Sequence, residues 1–329
     1  MKQQTNSLFL VRPSNFVFNT ETAHSNAFQQ VINESPEAIY QKVDAEFTGL
    51  VSTLEAAGVD IHVFEDTKEP VKPDAVFPNN GISCHEDGTL VLYPMCATNR
   101  QLERNPDFIT YIKKHFEVKR VLDLSVYEKE NRFLEGTGSF IFEYKSKKVY
   151  ACISPRMGQA LFISTCELLG YQPISFHAND SDGKAIYHTN VMLCIAEHFA
   201  VMCLESISNK VERKLVSESL TESGHQIIDI SFEQMYHFVG NMLVLESNDG
   251  RSLLVLSQSA FTSLTSDHKD KIEQHNTLVP LAINTTQTIG GGSARCMIAE
   301  IFLHSAELNS QIKTNGSKQT HQLHRIQGT

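Results

Sequence analysis

The stretch Ile186-Tyr-His-Thr-Asn-Val-Met-Leu-Cys-Ile195, followed after a tight turn by Phe199-Ala-Val-Met-Cys-Leu204, is the clearest copy of the unit that decides the fold. Two apolar runs joined by a short turn predict a β-hairpin. A helical pattern over 211–220 and the apolar run Gln226-Ile-Ile-Asp-Ile230 come next. They predict a helix and a closing strand. The unit is therefore a hairpin, a helix and a strand.

The same order of elements recurs along the chain. We predict further hairpins within 75–93, 133–153 and 237–256, helices over 108–116, 157–169 and 268–275, and closing strands at 120–124, 173–176 and 277–283. The N-terminal part supplies a strand within 8–18 that is broken by a turn, a helical pattern over 25–57 that Pro36 splits, and a strand at 61–64.

One polar residue stands early in each predicted hairpin. These marker residues are Asn80, Glu135, His188, Asn241 and Cys296, separated by 53 to 55 positions. A near-constant period of this size indicates a repeat architecture. A solenoid would set the markers in a row, whereas a closed ring would bring them together at its axis. We predict the ring, an α/β protein built as a five-bladed pseudo-symmetric α/β propeller that the N-terminal strand and helix complete.

Composition sets the broad class of the protein. Hydrophobic residues make up 41% of the chain and charged residues 20%, which is typical of a soluble globular protein with a sizeable core. The net charge is −10 without a Lys/Arg block, so we expect neither a nucleic-acid nor an anionic-membrane partner. We expect residues 1–308 to form a single α/β-propeller catalytic domain. Residues 309–329 are polar and aperiodic, and we expect a mobile tail there.

Compartment and redox state follow from two further features. No window approaches the roughly 18 apolar residues of a membrane span, and the apolar part of the N-terminus is too short for a signal peptide. The seven cysteines form no C-x-x-C pair, which argues against a disulfide framework and against a zinc ribbon. We therefore expect a cytoplasmic protein.

The segment Gly290-Gly-Gly-Ser-Ala-Arg-Cys296 stands where a fifth hairpin should begin. Three successive glycines let the backbone approach another group closely. Alone, such a segment is more often a turn before a buried cysteine than a catalytic site. Its register with Glu135 and His188 favours the catalytic interpretation, because a ring would gather a thiol, an imidazole and a carboxylate.

Three motifs carry a family resemblance. Glu-Gly-Thr-Gly-Ser139, Tyr-His-Thr-Asn190 and Gly-Gly-Gly-Ser-Ala-Arg-Cys296 resemble those of the guanidine-modifying (amidinotransferase) superfamily, from about Phe9 to Leu303. This resemblance implies the pentein fold, which is the five-bladed propeller, and a Cys/His/acid catalytic set. The wider motif set, with Pro-Asp-Ala-Val-Phe-Pro-Asn-Asn80, is most similar to the citrulline-utilisation hydrolase (citrullinase) branch.

The resemblance also implies roles for individual residues. Cys296 would be the nucleophile, His188 the acid/base and Glu135 the supporting carboxylate. The substrate-binding set would be Asn79, Asn80, Arg156, Asn190, Gly291 and Gly292. Within it, Arg156 is a candidate for the substrate α-carboxylate, and the glycine N–H groups for a tetrahedral oxyanion. Neither a metal nor another cofactor is required. The run Cys84-His-Glu-Asp87 is more typical of a polar hairpin turn than of a metal site.

Two positions suggest the substrate. Relatives that process arginine carry aspartates where this chain has Asn80 and Asn190, and those carboxylates bind a cationic guanidinium. An amide cannot compensate a buried cation, but its donors and acceptor suit a neutral ureido group. We therefore expect a small amino-acid substrate, citrulline, converted to ornithine, ammonia and carbon dioxide through a covalent cysteine intermediate. The sequence leaves a homo-oligomeric assembly open.

Three other functions fit the same sequence. An arginine deiminase or a methylarginine hydrolase would tolerate the two asparagines. A propeller that binds a partner without catalysis would not need Cys296 and His188. An amidinotransferase would protect the covalent intermediate from water until an amine acceptor arrives.

Overall fold

The computed structural model describes residues 2–306, and five three-stranded sheets make up the β-structure of this part of the chain. In every sheet the central strand pairs antiparallel with one neighbour and parallel with the other. The strands are Ile82–Cys84, Thr89–Leu92 and Arg120–Asp123 in blade 1, Phe140–Glu143, Lys148–Cys152 and Gln172–Phe176 in blade 2, Leu193–Ile195, Phe199–Met202 and Gln226–Asp229 in blade 3, Leu243–Glu246, Ser252–Ser257 and Thr277–Leu281 in blade 4, and Ala299–Glu300, Ser7–Arg12 and Asp60–Glu65 in blade 5.

Blade 5 joins the two ends of the described chain. Ser7–Arg12 is its central strand, antiparallel to Ala299–Glu300 and parallel to Asp60–Glu65, with Phe9 opposite Ala299. This pairing confirms the prediction that the N-terminal strand completes the repeat. The predicted α/β fold with five repeated units is confirmed as well.

Helices cross over between the central and third strands of the blades, because two parallel strands cannot be joined by a tight turn. The α-helices are Thr20–Ala23, Pro36–Ala56, Thr98–Gln101, Pro106–His115, Gly136–Ser139, Gln159–Leu169, Lys210–Glu222, Phe232–Tyr236, Gln258–Ser263, Ser266–Glu273 and Asn284–Gly290, and the 3-10 helices are Pro78–Asn80, Ser125–Glu130, Thr189–Val191 and Leu204–Ser206. The helix Gln159–Leu169 is representative, since it buries Leu161 and Phe162 against its own blade.

The helical prediction for residues 25–35 is wrong. The side chain of Asn26 donates hydrogen bonds to the carbonyls of Gly290 and Gly291, so this segment crosses to another part of the chain instead of coiling. The helix begins only at Pro36, where the Ser35 hydroxyl accepts the N–H of Ala38. A serine cap followed by proline at the first helical position is a strong start signal.

The sequence analysis placed the marker residues inside the hairpins. In the structure they lie before the first strand of each blade. Asn80 ends the 3-10 helix Pro78–Asn80, Glu135 precedes Gly136–Ser139, and His188 precedes Thr189–Val191. The strands that follow are short and almost wholly apolar, so each turn carries the polar side chain that a buried strand could not hold.

The core consists of apolar clusters between the sheets and the helices that cover them. Within residues 2–306, no helix combines the length and apolar character that crossing a membrane would need. The predicted tail, residues 309–329, lies outside the described residues, and the assignment of 1–308 to one domain stays a prediction.

We predict that Gly240→Ala destabilises the protein and Gly49→Ala does not. A Cβ at Gly240 would lie 2.4 Å from the carbonyl oxygen of Val191, which is backbone of the neighbouring blade. Overpacking of this kind costs about 1–3 kcal/mol. Gly49 is a matched control inside the helix Pro36–Ala56, where a Cβ meets nothing within 4 Å, and alanine there should stabilise the helix by about 1 kcal/mol.

Urea denaturation of both variants and the wild type measures these free energies of unfolding. Equal stability of Gly240→Ala and wild type would show that blades 3 and 4 do not pack as closely as described.

Candidate active site

Glu135 and His188 form a buried pair between blades 2 and 3. The Nε2 atom of His188 lies 2.7 Å from Oε2 of Glu135, and the backbone N–H of Cys96 donates to Oε1 of the same carboxylate at 2.9 Å. Both carboxylate oxygens are therefore engaged, and the carboxylate orients the imidazole. Nδ1 of His188 is the ring nitrogen that faces away from this contact, and its predicted part in proton transfer stays a prediction.

Glycine at position 138 makes this contact possible. A Cβ there would lie 2.2 Å from Nδ2 of Asn80 and 2.8 Å from Nδ1 of His188. Any other residue would push blade 1 and blade 3 away from the carboxylate. The second glycine of the Glu-Gly-Thr-Gly-Ser motif is therefore required because side chains of blades 1 and 3 contact blade 2 at this position.

Charge at the pair follows from burial and from two arginines. Burial opposes ionisation of Glu135, but Arg156, His188 and Arg100 together lower its pKa below the ordinary value. Burial lowers the pKa of His188 to about 4, which outweighs the opposing effect of Glu135. At neutral pH the pair is a carboxylate beside a neutral imidazole.

Cys296 lies at the end of the glycine segment, and two amides hold its sulfur. Nδ2 of Asn190 and Nδ2 of Asn241 each lie 3.3 Å from Sγ. Asn190 is two residues beyond His188, so the same turn carries the imidazole and a contact to the sulfur. Among the described residues, no hydrogen bond joins His188 to Cys296 directly, and their joint action stays a prediction.

Asn79 and Asn80 lie beside the carboxylate and not at the sulfur. Oδ1 of Asn80 accepts a hydrogen bond from Nη1 of Arg100 at 2.6 Å, and its Nδ2 donates to Asn79 at 3.1 Å. Asn79 in turn donates to the Thr137 hydroxyl at 3.2 Å. The structure therefore places these two residues as braces of the Glu135 segment, and their predicted contact with substrate stays a prediction.

Arg156 is 3% exposed and lines a cavity of about 290 Å³ together with residues 21, 22, 24, 25 and 96–98. Its guanidinium donates to the Ser25 hydroxyl and to the carbonyl of Thr22, stacks over the Tyr187 ring at 4.7 Å, and lies 3.5 Å from Glu135. These contacts fix the plane of the guanidinium beside the cavity, and its predicted contact with a substrate carboxylate stays a prediction.

The sequence analysis missed a second group of buried charges, which lies beside Arg156 at the same Glu135 carboxylate. Arg100 is 2% exposed and pairs with Glu103 at 2.9 Å and Asp74 at 3.8 Å. Burial raises the pKa of Glu103 to about 7 and also raises that of Asp74. Oδ1 of Asp74 is buried without a hydrogen-bond partner among residues 2–306. Only the i, i+3 spacing of Arg100 and Glu103 was visible in the sequence, and this spacing is equally typical of an exposed helix.

The two glycines proposed for substrate binding differ in their surroundings. Gly291 has φ +62° and its N–H already donates to the carbonyl of Gln287 at 2.9 Å. Its carbonyl accepts the Tyr187 hydroxyl and the Asn26 amide. A Cβ on Gly292 would lie 3.2 Å from Cβ of Cys296, and the predicted role of Gly292 toward an oxyanion stays a prediction.

The turn predicted at residues 85–88 occurs between the strands Ile82–Cys84 and Thr89–Leu92, and Cys84 ends the first of them. His85 bonds through Nε2 to the Ser83 hydroxyl at 2.8 Å. In the part of the chain that the structure describes, no group of three His, Cys, Asp or Glu side chains is arranged to hold a metal ion.

Comparison with known proteins gives one family match. The family described as "N,N dimethylarginine dimethylhydrolase, eukaryotic" matches residues 12–303. A search of curated protein sequences finds no match.

Solved structures with the same fold include several enzymes at low identity. The substrate-bound N-terminal domain of ArgZ, an arginine dihydrolase from the ornithine-ammonia cycle in cyanobacteria, is 15% identical with a TM-score of 0.69, covering 90% of this chain and 97% of that chain. AgrE with ornithine and NAD+ is 16% identical with a TM-score of 0.68, covering 90% and 39%. A dimethylarginine dimethylaminohydrolase variant with S-methyl-L-thiocitrulline is 15% identical with a TM-score of 0.61, covering 90% and 99%. The chain spans 40% of the full-length ArgZ chain.

We predict that His188 contributes a rise in the free energy of unfolding between pH 4 and pH 6.5, against the opposite contribution of Glu103, whose pKa is raised by burial. The pKa of His188 falls from the ordinary 6.5 to about 4 on folding, so within this window the unfolded chain binds a proton at this residue that the folded chain does not. The stabilisation is present above the ordinary value and is lost as pH falls toward 4. His188→Gln should reduce the slope by up to about 1.4 kcal/mol per pH unit.

Urea denaturation at several pH values measures the slope. His304→Gln is the control, because His304 is exposed and its replacement should leave the wild-type slope. A His188→Gln slope equal to that of wild type would contradict the buried neutral imidazole.

Proposed function

Since the chain belongs to the N,N-dimethylarginine dimethylhydrolase family, we propose that it is a cysteine-dependent hydrolase of carbon–nitrogen bonds in a ureido or guanidino amino acid. We propose citrulline as the substrate, as in the citrullinase branch, with ornithine, ammonia and carbon dioxide as products. The observation that carries the choice of citrulline is the neutrality of the side chains on the sulfur. Asn190 and Asn241 contact Sγ of Cys296, and both are amides.

A guanidinium at this sulfur would lack a counter-charge of its own. Glu135 is already shared by His188, Arg156 and Arg100, and burying a further cation against amides is costly. A ureido group is neutral and carries both N–H donors and a carbonyl acceptor. Amide side chains can satisfy both kinds of group.

The opposite end of an amino acid fits the charges around Arg156. We assign the substrate α-carboxylate to Arg156, which borders the cavity and whose Nη1 lies 3.5 Å from Oε2 of Glu135. We assign the α-ammonium group to Oδ1 of Asp74, a buried acceptor without a partner among the described residues. Burial raises the pKa of Asp74, and a bound ammonium group would favour its ionised form by supplying a counter-charge.

The first chemical step forms a bond between Sγ of Cys296 and the ureido carbon, while the thiol proton passes to Nδ1 of His188. The carbonyl π electrons move onto oxygen, where the N–H of Gly292 would stabilise the negative charge. Collapse of this tetrahedral species breaks a C–N bond, and His188 supplies the proton that the departing amine needs. Glu135 stabilises the imidazolium while His188 holds that proton.

The second step hydrolyses the covalent intermediate. His188 takes a proton from water, the hydroxide adds to the carbon, and the C–S bond breaks to return the thiolate. The carbon leaves as carbamate or carbamic acid, which releases carbon dioxide and the second amine. One citrulline and one water thus balance one ornithine, one ammonia and one carbon dioxide.

A second candidate follows from the name of the family, which refers to N,N-dimethylarginine. A methylarginine hydrolase or an arginine deiminase would use the same cysteine and histidine but would bind a cation at the sulfur. Comparison of substrates separates this candidate from citrulline.

We predict that the purified protein releases ornithine and ammonia from citrulline faster than it acts on arginine, dimethylarginine or agmatine. Cys296→Ser should lower kcat by about 10³-fold or more, because loss of a nucleophile has this scale in other hydrolases. Cys166→Ser is the control, a buried cysteine in the helix Gln159–Leu169 that should keep wild-type activity. Turnover of arginine or dimethylarginine without citrulline would reject the substrate assignment.

We predict that Arg156→Lys raises KM for citrulline about 10- to 100-fold, since lysine keeps the charge but loses the planar pair of donors. N-carbamoylputrescine has the ureido group and the amine of citrulline but no α-carboxylate. The KM of the wild type for N-carbamoylputrescine should be as high as the KM of Arg156→Lys for citrulline. The substitution should not raise the KM for N-carbamoylputrescine any further. An equal loss on both compounds would place Arg156 away from the carboxylate.

A further inference from the structure

Asn241 is the one marker residue to which neither the repeat nor the family resemblance assigns chemistry. The structure buries it completely, with 0% exposure, at the sulfur of Cys296. Its Nδ2 lies 3.3 Å from Sγ and 2.8 Å from the carbonyl oxygen of Asn190. One amide nitrogen therefore links blade 4 to the nucleophile and to blade 3.

Backbone contacts fix the position of this carboxamide. Gly240 packs so closely against the carbonyl of Val191 that no Cβ fits. The N–H of Asn241 donates to the carbonyl of Phe238, and its own carbonyl accepts the N–H of Arg295 at 3.4 Å. Blade 3, blade 4 and the cysteine segment thus hold the residue together, and its side chain has little freedom to turn away from the sulfur.

Two unsatisfied acceptors result from this arrangement. Oδ1 of Asn241 and Oδ1 of Asn190 are both buried without a hydrogen-bond partner among residues 2–306. Leaving a buried acceptor unsatisfied costs about 1–3 kcal/mol. Both carboxamides direct an N–H group at one sulfur, and each leaves its oxygen as a buried acceptor that a ligand could use.

We propose that Asn241 is a substrate-binding and specificity-determining residue, whose Oδ1 accepts an N–H of the ureido group while its Nδ2 holds the sulfur of Cys296. Oδ1 of Asn190 accepts the other N–H of the same terminal NH2 group. This inference rests on the proposed function and deepens it.

The proposal explains why an amide stands here. An aspartate of the same shape would place a negative charge against the thiolate and would favour a cationic guanidinium over a ureido group. A leucine of similar size would offer neither the donor to the sulfur nor the acceptor to the substrate. If Asn241 had only a structural role, its substitution would lower the stability of the protein and leave its substrate preference unchanged.

Steady-state kinetics with citrulline and arginine test the assignment. Asn241→Asp should lower kcat/KM for citrulline about 100-fold and raise the arginine-to-citrulline ratio of kcat/KM at least 10-fold. Asn276→Asp is the matched control, a buried asparagine of the same blade that donates to Ser252 and has no contact with Cys296. It should keep the wild-type ratio even where its stability falls.

A second measurement needs no substrate. Asn241→Leu removes one of the two donors on the sulfur, so alkylation of Cys296 by iodoacetamide at neutral pH should slow about 10-fold. Mass spectrometry of the peptide that contains Cys296 separates this reaction from those of the six other cysteines. Thermal unfolding of each variant identifies any that fail to fold. Asn241→Ser is then used in place of the variant that has failed.

The possible results separate this inference from the proposed function. Wild-type turnover of citrulline, with an unchanged ratio in Asn241→Asp and unchanged alkylation in Asn241→Leu, would overturn the inference alone. Turnover of arginine without citrulline by the wild type would overturn the proposed substrate and the ureido contact with it. In that case the alkylation rate still decides whether Asn241 holds the sulfur.

Discussion

The rest of the structure depends on the placement of one buried carboxylate. Glu135 is 0% exposed, and a charge removed from water must be compensated by partners close to it. Those partners come from different parts of the chain: the imidazole of His188, the N–H of Cys96, and the guanidinium of Arg156. No single blade could supply them. Polar contacts therefore join the blades at the centre of the ring, in addition to the apolar clusters that neighbouring blades share.

This requirement explains the glycines around the centre. Gly138 leaves room for Asn80 and His188, and Gly240 leaves room for the backbone of Val191. At each of these positions a neighbouring blade occupies the volume that a side chain would need. These two glycines are therefore explained by the close approach of neighbouring blades, without reference to a substrate.

The centre of the ring is not fully satisfied within itself. Buried acceptors without partners among the described residues are found on Asp74, Asn190 and Asn241. Elsewhere in proteins, nearly all buried polar atoms are hydrogen-bonded. In the function proposed above, a polar ligand would complete these three acceptors, with its charged end at Arg156 and its neutral end at the sulfur.

The sequence by itself determined the repeat, the order of hairpin, helix and strand, and the marker residues, because apolar periodicity and a constant spacing are local properties of the chain. It also indicated Cys296, His188 and Glu135 as a set. It misplaced the markers into strands and predicted a helix over 25–35, where Asn26 bonds to distant glycine carbonyls. The tertiary structure alone decided that Asn190 and Asn241 share one sulfur, that Asn80 faces Arg100, and that Asp74 and Glu103 join the buried charges. These contacts join residues tens of positions apart or depend on burial, and no local pattern in a sequence records which distant side chains the closure of a ring will bring together.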